Sequence, residues 1–304
     1  MGELQNLISI HDLDRKMIDH ILETASKMES VAVKRNKDLD SKIMAVLFFE
    51  PSTRTRLSFE SAMLRLGGSV LGFAEAGISS AGGKGETLAD TIRTVERYAD
   101  IIVMRHPLDG SARVAAEFSS IPVVNAGSGS EEHPTQALLD LYSIQKMKGK
   151  IDGLSISLCG DLKYGRTVHS LGMGLSHYDV KIKLAAPQLL RMKPAIIEQM
   201  KKSGADVVEV ESVEEAVKDV DVIYTTRIQK ERFPDIREYD KVKDRFRITA
   251  DDLSLMKEDA IILHPLPRVD ELDPDIDRTP HAKYFDQVYN GVILRMAVLK
   301  LILG

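Results

Sequence analysis

The stretch KIMAVLFFEPSTRTRLSFE, residues 42–60, decides the fold. Residues 42–49 are apolar without alternation, the pattern of a strand buried on both faces of a parallel sheet. Pro51 breaks that run. Ser52, Thr53, Arg54, Thr55 and Arg56 then follow without a gap, at the mouth of what reads as a helix. Runs of the same apolar kind recur at 100–104 (DIIVM), 121–126 (IPVVNA), 154–159 (LSISLC), 180–185 (VKIKLA), 221–226 (DVIYTT) and 260–263 (AIIL). Between them, ADTIRTVERYA (89–99) and PTQALLDLYSIQKMKG (134–149) place apolar residues at helical spacing, the second ending on Gly149. Ser212 to Glu215 and Thr249 to Asp252 have the form of helix-start boxes. Strand and helix in alternation predict an α/β chain with parallel sheets and right-handed crossovers.

At 304 residues the chain suits two domains, each a mainly parallel sheet flanked by helices, with an active site in the crevice between them. The boundary is expected at 132/133, giving domains 1–132 and 133–288. The last helix, 289–304, is apolar on nearly all sides and is expected to be buried, packed back on the first domain. Net charge is −5, which argues against nucleic acid as a partner, and any bound anion must find local cations. No apolar run approaches the ~18 residues of a membrane span. The N-terminus has no signal-type block, so the chain is expected in the cytoplasm. Cys159, the single cysteine, excludes an intramolecular disulfide and a multi-cysteine zinc site, and its apolar surroundings predict a buried, inert thiol.

Polar residues punctuate six strand ends. Ser52–Thr55 follows the 42–49 run, Arg105 and His106 follow 100–104, and GSEEHPTQ follows 121–126. GDLKYGR, ending at Arg166, follows 154–159, Arg227 follows 221–226, and HPLPR (264–268) follows 260–263. Ligands of open parallel sheets bind beyond such ends. A helix N-terminus offers unbonded N–H groups and a favourable dipole to an anion. A cap needs one hydroxyl, whereas Ser52, Thr53 and Thr55 supply three, and Arg54 adds a planar fork suited to phosphate. His133 alone reads as a structural histidine, with Gln136 one turn beyond it. In HPLPR, Pro265 and Pro267 are expected to hold the chain extended, leaving the Pro265 and Leu266 carbonyls for a ligand's NH2 group. Two nucleotide motifs fail: GISSAGGKGET (77–87) lacks the P-loop order, and CGDLKYGR lacks the dinucleotide glycine fingerprint.

With those residues assembled, the chain resembles the aspartate/ornithine carbamoyltransferase family, in its aspartate branch. FFEPSTRTRLSFE, GKGETLADT, HPTQALLD, RIQKERF and HPLPR match that family's motifs in order from residue 48 to 268. The resemblance implies carbamoyl transfer from carbamoyl phosphate to L-aspartate, an early step of pyrimidine synthesis, with no metal and no organic cofactor. It implies that 1–132 binds carbamoyl phosphate and 133–288 binds aspartate. Ser52, Thr53, Arg54 and Thr55 would hold the phosphate, while Thr55, Arg105 and His133 contact the carbamoyl oxygen. Gln136 and the carbonyls of Pro265 and Leu266 would take the carbamoyl NH2, and Arg166, Arg227, Gln229 and Lys84 the aspartate. Ser80 and Lys84 resemble loop residues that reach in from a neighbouring subunit of a homotrimer, which in part of the family also joins a separate regulatory chain. The rival readings are ornithine carbamoyltransferase, which carries cysteine where this chain has Pro265, a dehydrogenase, and a non-catalytic phosphate-ligand binding protein.

Overall fold

A computed structural model describes residues 4–34, 36–74, 85–229, 233, 235–242 and 246–304. The chain divides into two compact units, Met1–Tyr142 with Val288–Gly304, and Ser143–Gln287. In the first, β1 (Ile43–Phe48), β2 (Ser69–Phe73), β3 (Ile101–His106) and β4 (Val123–Ser128) form one parallel sheet of order β2-β1-β3-β4. Its helices are α1 (Arg15–Ala32), α2 (Thr53–Arg65), α3 (Leu88–Val95), α4 (Ser111–Phe118) and the start of α5 (Pro134–Lys148). β1 lies between two neighbours and is buried along nearly its whole length, as its unbroken apolar run requires. Ala45 and Leu47 of β1 pack with Ile102 and Met104 of β3 against Ile92 of α3 and Ala112 and Ala115 of α4.

The second unit repeats the plan with β5 (Ser155–Cys159), β6 (Lys181–Ala185), β7 (Asp206–Val210), β8 (Val222–Thr225) and β9 (Ile261–Leu263). All pair parallel, in the order β7-β6-β5-β8-β9. Its helices are α6 (Arg166–Leu175), α7 (Pro194–Lys202), α8 (Val213–Val217) and α9 (Ile236–Val242). The long final helix α10 (Tyr284–Leu303) passes into the first unit at Val288. The expected box at Ser212 and Glu215 forms in full and starts α8. That at Thr249 opens a 3-10 turn, Asp251–Leu255, where the backbone N–H and hydroxyl of Thr249 both donate to Asp252 Oδ2 at 2.8 Å. Ile293, Leu294 and Met296 through Leu299 are fully buried, as the all-round apolar pattern of α10 demands.

All seven apolar runs become strands, with ends shifted by at most two residues. Two further strands, β2 (SVLGF) and β7 (DVVEV), were not expected from the sequence. Each closes one end of its sheet and leaves most side chains half or fully exposed, so neither carries a continuous apolar signal. Cys159 is buried as expected, and burial pushes its thiol pKa up to about 11. Among the described residues no helix is long and apolar enough to cross a membrane.

Gly160, at φ +107°, turns the chain off β5, and a Cβ there would collide with the Thr226 carbonyl oxygen. Gly149, at φ +76° after α5, has open space around the same position. Gly149→Ala therefore carries only the left-handed backbone cost, about 1 kcal/mol. Gly160→Ala adds a clash and should lose about 2 kcal/mol or more. Denaturant melts of the two variants check the order.

Candidate active site

Three adjacent strands of the first sheet, β1, β3 and β4, deliver one group of the expected residues. Four residues separate the end of β1 from the start of α2, the last of them Ser52, its N-cap in extended backbone. The Ser52 hydroxyl makes no capping hydrogen bond, so the cap role does not account for it. The first turn holds Arg54 and Arg56 and no acid. Cations there oppose the helix dipole, and a bound anion reverses the sign of that effect. Arg56 is balanced by Glu60 one turn on, at 3.1 Å, whereas Arg54 and Thr53 stand exposed and Thr55 is buried.

Arg105 is the penultimate residue of β3, and its Nη2 donates to Glu50 Oε1 at 2.7 Å. The Phe49 N–H donates to the Arg105 carbonyl at 2.8 Å, which ties the loop before α2 to this strand end. His106 has a structural job: its Nδ1 accepts from the Leu108 N–H at 3.1 Å and its ring packs on Phe49. Burial holds its pKa below the usual histidine range. His133 precedes α5, almost fully buried, and its carbonyl accepts the N–H groups of Gln136 and Ala137. Gln136 is buried on the first turn, and its Nε2 donates to Asp140 Oδ1 at 2.9 Å.

Three adjacent strands of the second sheet, β5, β8 and β9, deliver the other group. Asp161, fully buried just past β5, accepts the Tyr164 N–H at 2.9 Å and the Gln229 N–H at 3.4 Å. One carboxylate thus fastens the loop that leads to Arg166 beside the loop that carries Arg227 and Gln229. Arg166 is the first residue of α6, and all three side chains are half-buried. Beyond β9 the chain is not extended as expected. Leu266 sits at φ +53° and precedes a cis peptide to Pro267. Its N–H folds back onto His264 Nδ1 at 2.8 Å. Since that nitrogen accepts, the ring proton is on Nε2, donated to Glu271 Oε1 at 2.7 Å. His264 is therefore the buried bracket that sets the direction of the Pro265 and Leu266 carbonyls. Arg268, the last residue of HPLPR, is engaged elsewhere, with Asp277 and over the Tyr284 ring.

Ser80 and Lys84 lie outside the described residues. Sequence reasoning missed Glu50, Asp161 and Asp140. All three stand inside quoted motifs, and an acid directly beside a cluster of anion-binding groups is itself a signal. Among the described residues no group of three or more His, Cys, Asp or Glu side chains could hold a metal ion.

Phosphate-type donors on one parallel-sheet unit and carboxylate-type arginines on another define a group-transfer enzyme for two anionic substrates. Residues 5–146 match the carbamoyl-phosphate binding domain of the aspartate/ornithine carbamoyltransferases, and residues 152–302 match their Asp/Orn binding domain. The chain belongs to that family. It is 55% identical over 302 residues to the aspartate carbamoyltransferase catalytic subunit of Thermococcus onnurineus, covering 99% of this chain and 97% of that one. The catalytic subunit of M. jannaschii aspartate transcarbamoylase superposes with a TM-score of 0.91 at 50% identity, covering 98% and 97% of the two chains. Aspartate transcarbamoylase of Trypanosoma cruzi, solved with carbamoyl phosphate and aspartate, gives 0.92 at 40% identity over 99% and 96%.

Loss of a capping serine ordinarily costs ~1 kcal/mol. Because Ser52 does not cap, Ser52→Ala should change stability by less than about half of that. The same variant should bind inorganic phosphate more weakly. Paired thermal melts and phosphate titrations decide the point.

Proposed function

We propose that the chain transfers the carbamoyl group of carbamoyl phosphate to the amine of L-aspartate, giving N-carbamoyl-L-aspartate and inorganic phosphate, an early step of pyrimidine synthesis in the cytoplasm. The observation that carries this reading is the start of α2, where a non-capping serine, two threonines and an exposed arginine meet a helix N-terminus without an acid.

In this assignment the phosphate sits on Ser52, Thr53, Arg54 and Thr55. The carbamoyl oxygen takes donors from Thr55, Arg105 and His133, and the carbamoyl NH2 donates to Gln136 and to the Pro265 and Leu266 carbonyls. Arg166, Arg227 and Gln229 hold the two aspartate carboxylates, with Lys84. The aspartate amine attacks the carbonyl carbon, a C–N bond forms, and negative charge grows on the carbonyl oxygen. Fixed donors aimed at that oxygen are the large catalytic term, each worth about 3–4 kcal/mol in comparable sites. Collapse breaks the bond between the carbonyl carbon and the bridging phosphate oxygen, and the departing phosphate carries away the proton that nitrogen must lose. Charge and atoms balance without a side-chain nucleophile, and the remaining requirement is orientation, which bidentate arginines supply.

We assign the active unit as a homotrimer, in which Ser80 and Lys84 serve a neighbour's site, and a separate regulatory chain is a further partner in this reading. Proline at 265, in place of the ornithine branch's cysteine, favours aspartate over ornithine as the acceptor.

Arg54→Ala should lower kcat/KM by about 10²–10³ with little change in Tm, because Arg54 is exposed and contributes no core. A large drop in Tm with near-normal turnover would contradict it. Replacement of aspartate by ornithine should abolish product, and a chain that binds phosphate without turnover would exclude the enzyme reading. Mixing inactive Lys84→Ala chains with inactive Arg54→Ala chains should restore activity in hybrid trimers, since some sites then hold both intact residues.

A further inference from the structure

α10 interrupts an apolar run, GVILRMAVL (291–299), with Arg295, which is 3% exposed. Its Nη1 donates to Ser58 Oγ at 2.8 Å and its guanidinium lies 4.9 Å over the Phe59 ring, both on α2. A Cβ on Gly291 would come within 2.8 Å of that Nη1, so glycine leaves the space that the guanidinium fills. Burial pulls the Arg295 pKa down to about 10, with the charge of Asp140 acting against that, so Arg295 stays a cation at neutral pH.

Asp140 is fully buried on α5, one turn beyond Gln136. A carboxylate oxygen accepts hydrogen bonds and, in its ionised form, the group donates none. The group it accepts from is Gln136 Nε2, at 2.9 Å. The amide is thereby held with its nitrogen toward Asp140 and Oε1 turned the other way. A neutral partner in place of Asp140 could donate as readily as accept, and the amide could then present either end.

We propose that Asp140 is a positioning residue that sets donor specificity: by engaging the amide nitrogen of Gln136, it leaves a carbonyl oxygen as the only face offered to the acyl donor. The site then favours a donor whose carbonyl carbon bears NH2 over one bearing methyl. Arg295 is a buried cation whose charge interacts with that of Asp140. This inference rests on the assignment of Gln136 to the carbamoyl NH2.

The test compares kcat/KM for carbamoyl phosphate and acetyl phosphate, at saturating aspartate, in the wild type, Gln136→Ala, Asp140→Asn and the Gln136→Ala/Asp140→Asn pair. The ratio is internal to each variant, so partial unfolding lowers both rates alike and cancels. Asp140→Asn also leaves Arg295 without its counter-charge, and Asp140→Asn/Arg295→Met removes both charges together. Preference for carbamoyl phosphate should fall roughly tenfold in each variant, and the Gln136/Asp140 pair should lose no more than Gln136→Ala alone. If Gln136→Ala lowers the ratio while both Asp140 variants keep it, the positioning role is wrong and the Gln136 assignment survives. If the pair loses the sum of the two, Asp140 does not act through Gln136. If Gln136→Ala itself keeps the ratio, the assignment fails and the inference falls with it.

Discussion

Parallel pairing is the constraint on which the rest depends. Every strand in each sheet runs the same way, so all carboxyl ends open on one side of that sheet. Register then decides which loops emerge side by side. Phe48 stands opposite Arg105, so the turn into α2 starts beside the guanidinium-bearing strand end. In the other sheet Cys159 pairs with Thr225 and Tyr224 with Leu263, so three loops leave abreast. A one-residue slip would displace a loop by about 3.3 Å, the length of a hydrogen bond, and reverse the faces of the strand. Burial on both faces forbids it: β1, β8 and β9 have almost no exposed side chain to exchange.

The second constraint is charge. A chain of net −5 must hold two anionic substrates, so the acids near the strand ends have to be occupied. Glu50 is paired with Arg105 and Glu60 with Arg56. Asp161 accepts backbone N–H groups, and Asp140 accepts an amide. Each of these acids is thus spent on placing a neighbour, and the first turn of α2 carries arginines and no acid. The helix dipole adds to their charge within that turn.

The sheets were legible where strands are buried on both faces, because an unbroken run of Val, Ile and Leu has few other uses. They were illegible at β2 and β7, where edge exposure dilutes the pattern to SVLGF and DVVEV. The residues of the candidate site were legible because polar groups at strand ends stand out against apolar runs. Their supports were not. The letters HPLPR do not announce that Leu266 adopts φ +53° with its N–H on the ring of His264, because that contact depends on how the segment folds back on itself. Asp140 and Arg295 are 155 positions apart in the chain, and only the fold of the first unit brings their charges to act on one another.

Stability alone does not account for that last pair. Replacing buried charged groups by well-packed apolar residues is often neutral or stabilising, by about 1–4 kcal/mol. Glycine inside a helix costs about a further 1 kcal/mol relative to alanine, and Gly291 is required by the guanidinium beside it. Three unfavourable choices therefore fall together behind one half of the candidate site, in a unit whose β1–β3 core cluster is aliphatic. What they supply is direction. A lone glutamine amide can turn over and present either end at little cost, so it recognises an NH2 group only if something else decides which end faces out. A buried carboxylate oxygen that accepts the amide N–H makes that decision.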